Sequence, residues 1–125
     1  VRRPTPLLPA LLVAVLMVVL QACDDGGQEV LALGDVDHGR ELFVGYGCGA
    51  CHQVGGIRQA RGRVGPDLDG LADQRMIAGS LPNTPEQLAA FIQNPQQHAP
   101  GTGMPDVGVT PDDAEDLVAF LLDQG

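Results

Sequence analysis

An all-α fold, a small domain of three to four helices joined by long loops, is what the sequence predicts, and three observations carry that expectation. Capped stretches with apolar residues at helical spacing recur along the chain, and no stretch alternates convincingly as a strand. Gly and Pro, 17 and 10 of 125 residues, supply the loops between them. Phe43, Phe91, Phe120 and Tyr46 are the only large rings, so a core of side chains alone would be thin, and something else is expected to fill it. The length suits one domain.

The first element lies outside that domain. Arg2 and Arg3 precede an uncharged apolar run from 7 to 20. As a helix it would span roughly 21 Å, short of the roughly 30 Å of a bilayer's hydrocarbon core. A signal peptide over 1–22 is therefore expected, with an uncleaved anchor as the alternative. "PTPLL" after the arginines does not support a twin-arginine route. "LQAC" (20 to 23) resembles the lipobox of bacterial lipoproteins, in which cleavage leaves Cys23 as a lipidated N-terminus; the alternative is Cys23 as an ordinary small apolar residue. Two or more acyl chains suffice for stable attachment. Residues 23–34 then read as a lipidated N-terminus and tether reaching roughly 18 Å. Asp24 resembles the signal by which such lipoproteins stay in the inner membrane of Gram-negative cells.

Charge narrows the partners. Seven Arg, no Lys and 16 acidic residues give a net charge of −9, and loss of Arg2 and Arg3 makes the mature part more negative still. Nucleic acid is excluded as a partner, because phosphate binding rests on Lys and Arg. Anionic headgroups are disfavoured too, so an acyl anchor, and not surface charge, would hold the domain at a membrane.

The domain occupies 35–125. Val36, Gly39, Phe43 and Tyr46 recur at i, i+3, i+7 and i+10, with Leu42 beside them, as one stripe of a helix that Asp35 caps. That helix delivers "CGACH" (48 to 52). With Cys23 assigned, Cys48 and Cys51 remain as a pair with His52 directly after them. This C-x-x-C-H spacing reads as covalent attachment of one haem c, the thiols adding to the two vinyl groups and His52 standing beneath the iron. A thioredoxin-like site would need a βαβ context that the Gly-rich and Pro-rich flanks do not give. A zinc site would need a fourth ligand from His38 or His98. A disulfide would leave the histidine unexplained.

Residues 55 to 80 read mostly as loop with one weak helix near 70 to 78, in which Met76 fills the core. "NTPEQLAAFIQNP" (83 to 95) is a sharper helix: Thr84 as N-cap, Pro85 in the first turn, Gln87 completing a capping box, and a stop at Asn94 before Pro95. Its apolar face is Leu88, Phe91 and Ile92. Met104 lies in "PGTGMPDVG" (100 to 108), where Pro and Gly favour a turn-rich loop able to carry a thioether to the far side of a porphyrin. Met104 is the expected sixth ligand. His98 is the rival, giving a lower potential than His with Met, and an iron open on one side is the third reading. The last helix, 110 to 124, repeats the device with Thr110, Pro111 and acids in the first turns. Leu117, Phe120, Leu121 and Ala114 form its stripe.

From about Asp35 to Gly125 the chain resembles a small monohaem cytochrome c of class I type. The helix with Gly39 and Phe43, the haem motif, the "GPDL" turn (65 to 68), the Met104 loop and the last helix with Phe120 carry the likeness. Within that superfamily, 62 to 96 is similar to the cytochrome c domain fused to subunit II of bacterial haem-copper oxidases. Phe91 stands where those domains commonly have Trp, so an indole bond to a haem propionate is not available. The resemblance implies that Cys48 and Cys51 hold the porphyrin and that His52 and Met104 bind the iron. It also implies that the Pro66 carbonyl accepts from the other nitrogen of His52, and that Gly39 lets the terminal helices cross closely, with Phe43 and Phe120 at the junction. Arg58, Arg61 and Arg63 form the only basic cluster, which would neutralise propionates or face an acidic partner, the alternative being a plain solvated loop. His38 and the acids at 112, 113, 115 and 116 are expected to be plain solvent-facing side chains.

The expected function is one-electron transfer and not enzymatic catalysis, since two ligands leave no position for a substrate. The carrier would be tethered on the periplasmic side of the inner membrane. Its donor would be a quinol-oxidising complex or a dehydrogenase, and its acceptor a terminal oxidase or reductase. The alternatives are a haem sensor or peroxidase-like protein with an open iron, and a dedicated electron-entry subunit of a larger complex.

Overall fold

The computed structural model describes residues 34–124. The expected signal peptide, Cys23 and nearly all of the tether lie outside the described residues. Among the described residues four α-helices carry most of the regular structure: α1 (Val36–Gly45), α2 (Pro85–Gln93), the short α3 (Pro95–His98) and α4 (Pro111–Leu122). Two 3-10 turns, Cys48–Ala50 and Leu71–Asp73, and one two-stranded hairpin complete it, in agreement with the all-α expectation. Among the described residues no helix is long and apolar enough to cross a membrane.

The helix starts follow their sequence signals. Asp35 Oδ1 accepts from the backbone N–H groups of Asp37 and His38, at 2.9 and 3.0 Å, and so begins α1. Thr84 and Thr110 accept in the same way from Gln87 N and Asp113 N, each followed by Pro in the first turn. At Thr84 only half of a capping box forms, because the Thr84 N–H donates to the Pro82 carbonyl and not to Gln87. Asn94 ends α2 with φ −142° and ψ 79°, and its side chain then caps α3 by accepting from Gln97 N at 3.1 Å. The sequence predicts a stop at Asn94, and the second, shorter helix beyond it is not among the expected elements.

α1 and α4 cross at the bottom of the core. Gly39 makes the crossing possible: a Cβ there would run into the backbone of Asp116 and come within 2.8 Å of Phe120 Cβ. Phe43 and Phe120 meet edge to face with centroids 5.7 Å apart, and both are fully buried. The Arg40 guanidinium lies 5.4 Å from the Phe120 ring centroid. Leu88, Phe91 and Ile92 of α2 and Ala114, Leu117, Phe120 and Leu121 of α4 are buried as their periodicity demands.

The weak helix expected near 70 to 78 is not there. Gly70 is left-handed, Gln74 is extended at ψ 137°, and only one 3-10 turn forms between them. The cause is a competing acceptor plan: the Asn83 side-chain amide donates to the carbonyls of Leu71 and Gln74, at 2.7 and 2.8 Å, which a helix would have needed for its own ladder. Met76–Ile77 then pairs antiparallel with Leu81–Pro82, against the expectation of no strand. Ala78 (φ 48°) and Gly79 (φ 82°) both have positive φ, the geometry that joins such twisted strands. Period-two alternation turns Ile77 inward and Met76 outward, so Met76 is 46% exposed and is not core filler.

Candidate functional site

The paired cysteines sit on a tight turn fixed from several sides. Gly47 enters it in the left-handed region at φ 73°, and the Cys48 carbonyl accepts from both Cys51 N (3.2 Å) and His52 N (3.0 Å). Gly62 N donates to the carbonyls of Gly49 and His52, and Gly65 N to that of Cys51 at 2.9 Å, which ties the following loop across the turn. Gly49 lies so close to this loop that a Cβ would come within 2.8 Å of Ala60 Cα. Cys48, Cys51 and His52 are all half-buried, and the two thiols are free. Burial pushes the Cys48 thiol above its ordinary range.

His52 is held by the turn that follows. Its Nδ1 donates to the Pro66 carbonyl oxygen at 2.8 Å, the bond that the resemblance implied. The proton is thereby placed on Nδ1, and Nε2 keeps its lone pair for a metal. Gly65 lies flat against the ring: a Cβ would fall 2.5 Å from Cε1 and 2.7 Å from Nδ1. Leu68, two residues beyond Pro66, packs on the core, and its N–H donates to the Gln53 carbonyl at 2.9 Å.

Met104 is half-buried and packs against the core cluster from a segment without helix or strand. Its loop is tied to α3 through Gln96, which donates to the Thr102 carbonyl at 2.6 Å. His98, the rival ligand, ends α3 and is half-buried. Met76 is the more exposed of the two downstream thioethers.

His38, one of the histidines that a zinc reading would recruit, is engaged elsewhere. Its Nδ1 meets Asp116 Oδ2 at 2.7 Å, while the other oxygen of Asp116 accepts from Asp35 N at 2.6 Å. Tyr46 donates to Asp113 Oδ2 at 2.5 Å. These two links join α1 and its C-terminal edge to α4, so His38, Asp113 and Asp116 are not the plain solvent-facing side chains expected of them. No sequence signal pairs residues this far apart in the chain. Among the described residues no three His, Cys, Asp or Glu side chains gather as a metal cage. Arg58, Arg61 and Arg63 line one open groove of about 480 Å³ with Asp69, and none of the three is ion-paired among the described residues.

The donor set fits a covalently held haem on three counts. Two free thiols share one turn, one imidazole nitrogen is committed as a donor so that the other can bind iron, and bare backbone lies against the imidazole face where a side chain would displace it.

Comparison with known proteins agrees. The family model described as cytochrome c matches residues 36–124. A cytochrome c oxidase subunit 2 of Alkalihalophilus pseudofirmus is 36% identical over 68% of this chain, which spans only 24% of that subunit's length. A cytochrome c of Tetrahymena pyriformis is 33% identical over 70% of this chain and 87% of its own. A cytochrome c2 of Agrobacterium tumefaciens is 30% identical over 71% of this chain and 91% of its own.

Proposed function

The chain belongs to the cytochrome c family, and on that premise we propose that it is a membrane-tethered electron carrier whose iron is held between His52 and Met104. Electron carriage by a covalently bound haem c is the family's property. Bound there, the haem supplies a one-electron couple.

The chain's own residues do the rest. Cys48 and Cys51 anchor the group, and the Pro66 carbonyl, by holding the His52 Nδ1 proton, strengthens Nε2 as a donor and keeps the ring from turning. Met104 stands on a loop packed on the core, and its thioether, paired with the His52 imidazole, would hold the iron and favour a high potential. With His52 and Met104 both holding the iron, no position would be left for a substrate and little would need to move as its charge changes. The observation that carries this reading is the contrast between the two thioethers: Met104 is half-buried against the core, and Met76 is turned outward.

The setting is the periplasmic face of the inner membrane, with Cys23 as the lipid anchor and 24 to 34 as the tether. Quinol-oxidising complexes or dehydrogenases are the donors, and a terminal oxidase or reductase is the acceptor. Likeness to a domain of an oxidase subunit supports the oxidase. Docking is brief, and charge steering sets its rate. Carbon monoxide added to the reduced protein tests the closed site: the native chain binds it only slowly, as Met104 leaves, and Met104→Ala takes it up at once. Rapid uptake by the native chain would replace the carrier with a sensor or peroxidase-like protein.

A further inference from the structure

Gln96, in α3, spends both ends of its side-chain amide on the Met104 loop. Oε1 accepts from Gly101 N at 3.2 Å, and Nε2 donates to the Thr102 carbonyl at 2.6 Å, with a longer approach of 3.5 Å to the Met104 carbonyl. Thr102 closes the ring, its Oγ1 accepting from Met104 N at 3.3 Å and its N–H donating to the Ala99 carbonyl at 3.0 Å. The clamp has a firm base. Pro95, the residue before Gln96, is fully buried, and Asn94 caps the short helix. Gln96 itself is exposed, so it contributes little to the core. Its bonds reach no farther than the segment 101–104.

We propose that Gln96 is a positioning residue that keeps Met104 on the iron. The inference rests on the reading of Met104 as a ligand. A thioether is neutral and reaches the metal only while its loop is in place, so its occupancy is set by the balance between the docked loop and every swung-out alternative. Polyglycine-like freedom at Gly101 and Gly103 favours the alternatives. The Gln96 bonds exist only in the docked form and tip the balance back. Losing one or two net hydrogen bonds corresponds to about a tenfold increase in the swung-out population.

The test uses the full chain with its haem, reduced and exposed to carbon monoxide, whose binding waits on departure of Met104. Gln96→Leu keeps the volume and loses the bonds; it should bind about ten times faster than the native chain and lower the reduction potential. Gln96→Arg, which retains donors toward the two carbonyls, should recover part of the native rate. Asp35→Ala, which removes the α1 cap and destabilises the domain far along the chain, should leave the rate unchanged. Amide exchange at Gly101 should quicken in Gln96→Leu. A native rate in Gln96→Leu, or equal acceleration by Asp35→Ala, would overturn the inference while leaving Met104 as ligand, provided that Met104→Ala opens the iron. If Met104→Ala changes nothing, the ligand reading and this inference fall together.

Discussion

His52 Nδ1 and the Pro66 carbonyl oxygen stand 2.8 Å apart, and Gly65, the residue before that proline, presses on the same imidazole ring. The "GP" of the turn therefore has two separate duties: the proline's carbonyl fixes the ring's proton, and the glycine leaves room for the ring's face. Gly65→Ala brings a Cβ to 2.5 Å from His52 Cε1, and the ring must tilt or the backbone must retreat. The expected cost is about 1–3 kcal/mol, read as a lower denaturant midpoint. A shifted potential in the same variant would show that the ring, and not only the loop, has moved.

Gly39→Ala should be worse than its helix propensity suggests. Alanine gains up to about 1 kcal/mol over glycine inside a helix, but here the new Cβ meets the backbone of Asp116, which cannot rotate away as a side chain would. The clash wins, and a net loss of about 1–3 kcal/mol is expected in chemical denaturation. Equal or greater stability would mean that α1 and α4 do not cross as described.

The His38–Asp116 link makes stability depend on pH. The hydrogen bond to Asp116 raises the His38 pKa; desolvation, the next largest effect, works against it, and the charges of Asp116, Asp113 and Glu41 add to the rise. A raised folded pKa stabilises fully below the unfolded value, near 6.5, and the gain is lost as pH rises through the folded pKa. Asp116 is lowered, first by the Asp35 N–H and then by His38, so its contribution is present above the usual carboxylate range and is lost as pH falls through the lowered folded value. The difference in denaturant midpoint between the native chain and His38→Ala should be larger near pH 5.5 than near pH 9. A difference that is flat with pH would show the pair to be without weight in solution.

Asn83→Leu should cost about 1–3 kcal/mol, because the carbonyls of Leu71 and Gln74 lose the donor that both share. Thermal or denaturant unfolding reads the loss. The hairpin at Met76–Ile77 and Leu81–Pro82 should lose amide protection first, since Asn83 ties down both of its approaches.

Much of this was legible along the chain. Helix starts at Asp35, Thr84 and Thr110 and the buried faces of α2 and α4 follow from caps and spacing, which act over a few residues; the close crossing at Gly39 follows from the resemblance to small cytochromes c instead. The haem motif is legible for the same reason, since one turn brings its three residues together. The segment 70 to 78 departs from its local pattern because its state is decided by Asn83, several residues downstream, whose amide takes carbonyls that local pattern would give to a helix. With the helix lost, the period changes from 3.6 to 2, and Met76 turns outward while Ile77 goes in. The links His38 to Asp116, Tyr46 to Asp113 and Gln96 to the Met104 loop join groups by geometry that carries no mark in composition or spacing.

The ligand pair His52 and Met104 is tested most directly by the reduction potential of the native chain set beside that of Met104→His. Exchange of a thioether for a second imidazole at the iron lowers the potential, so the account predicts a native value clearly above that of the variant. Equal potentials for the two proteins would mean that position 104 does not reach the iron and would contradict the account.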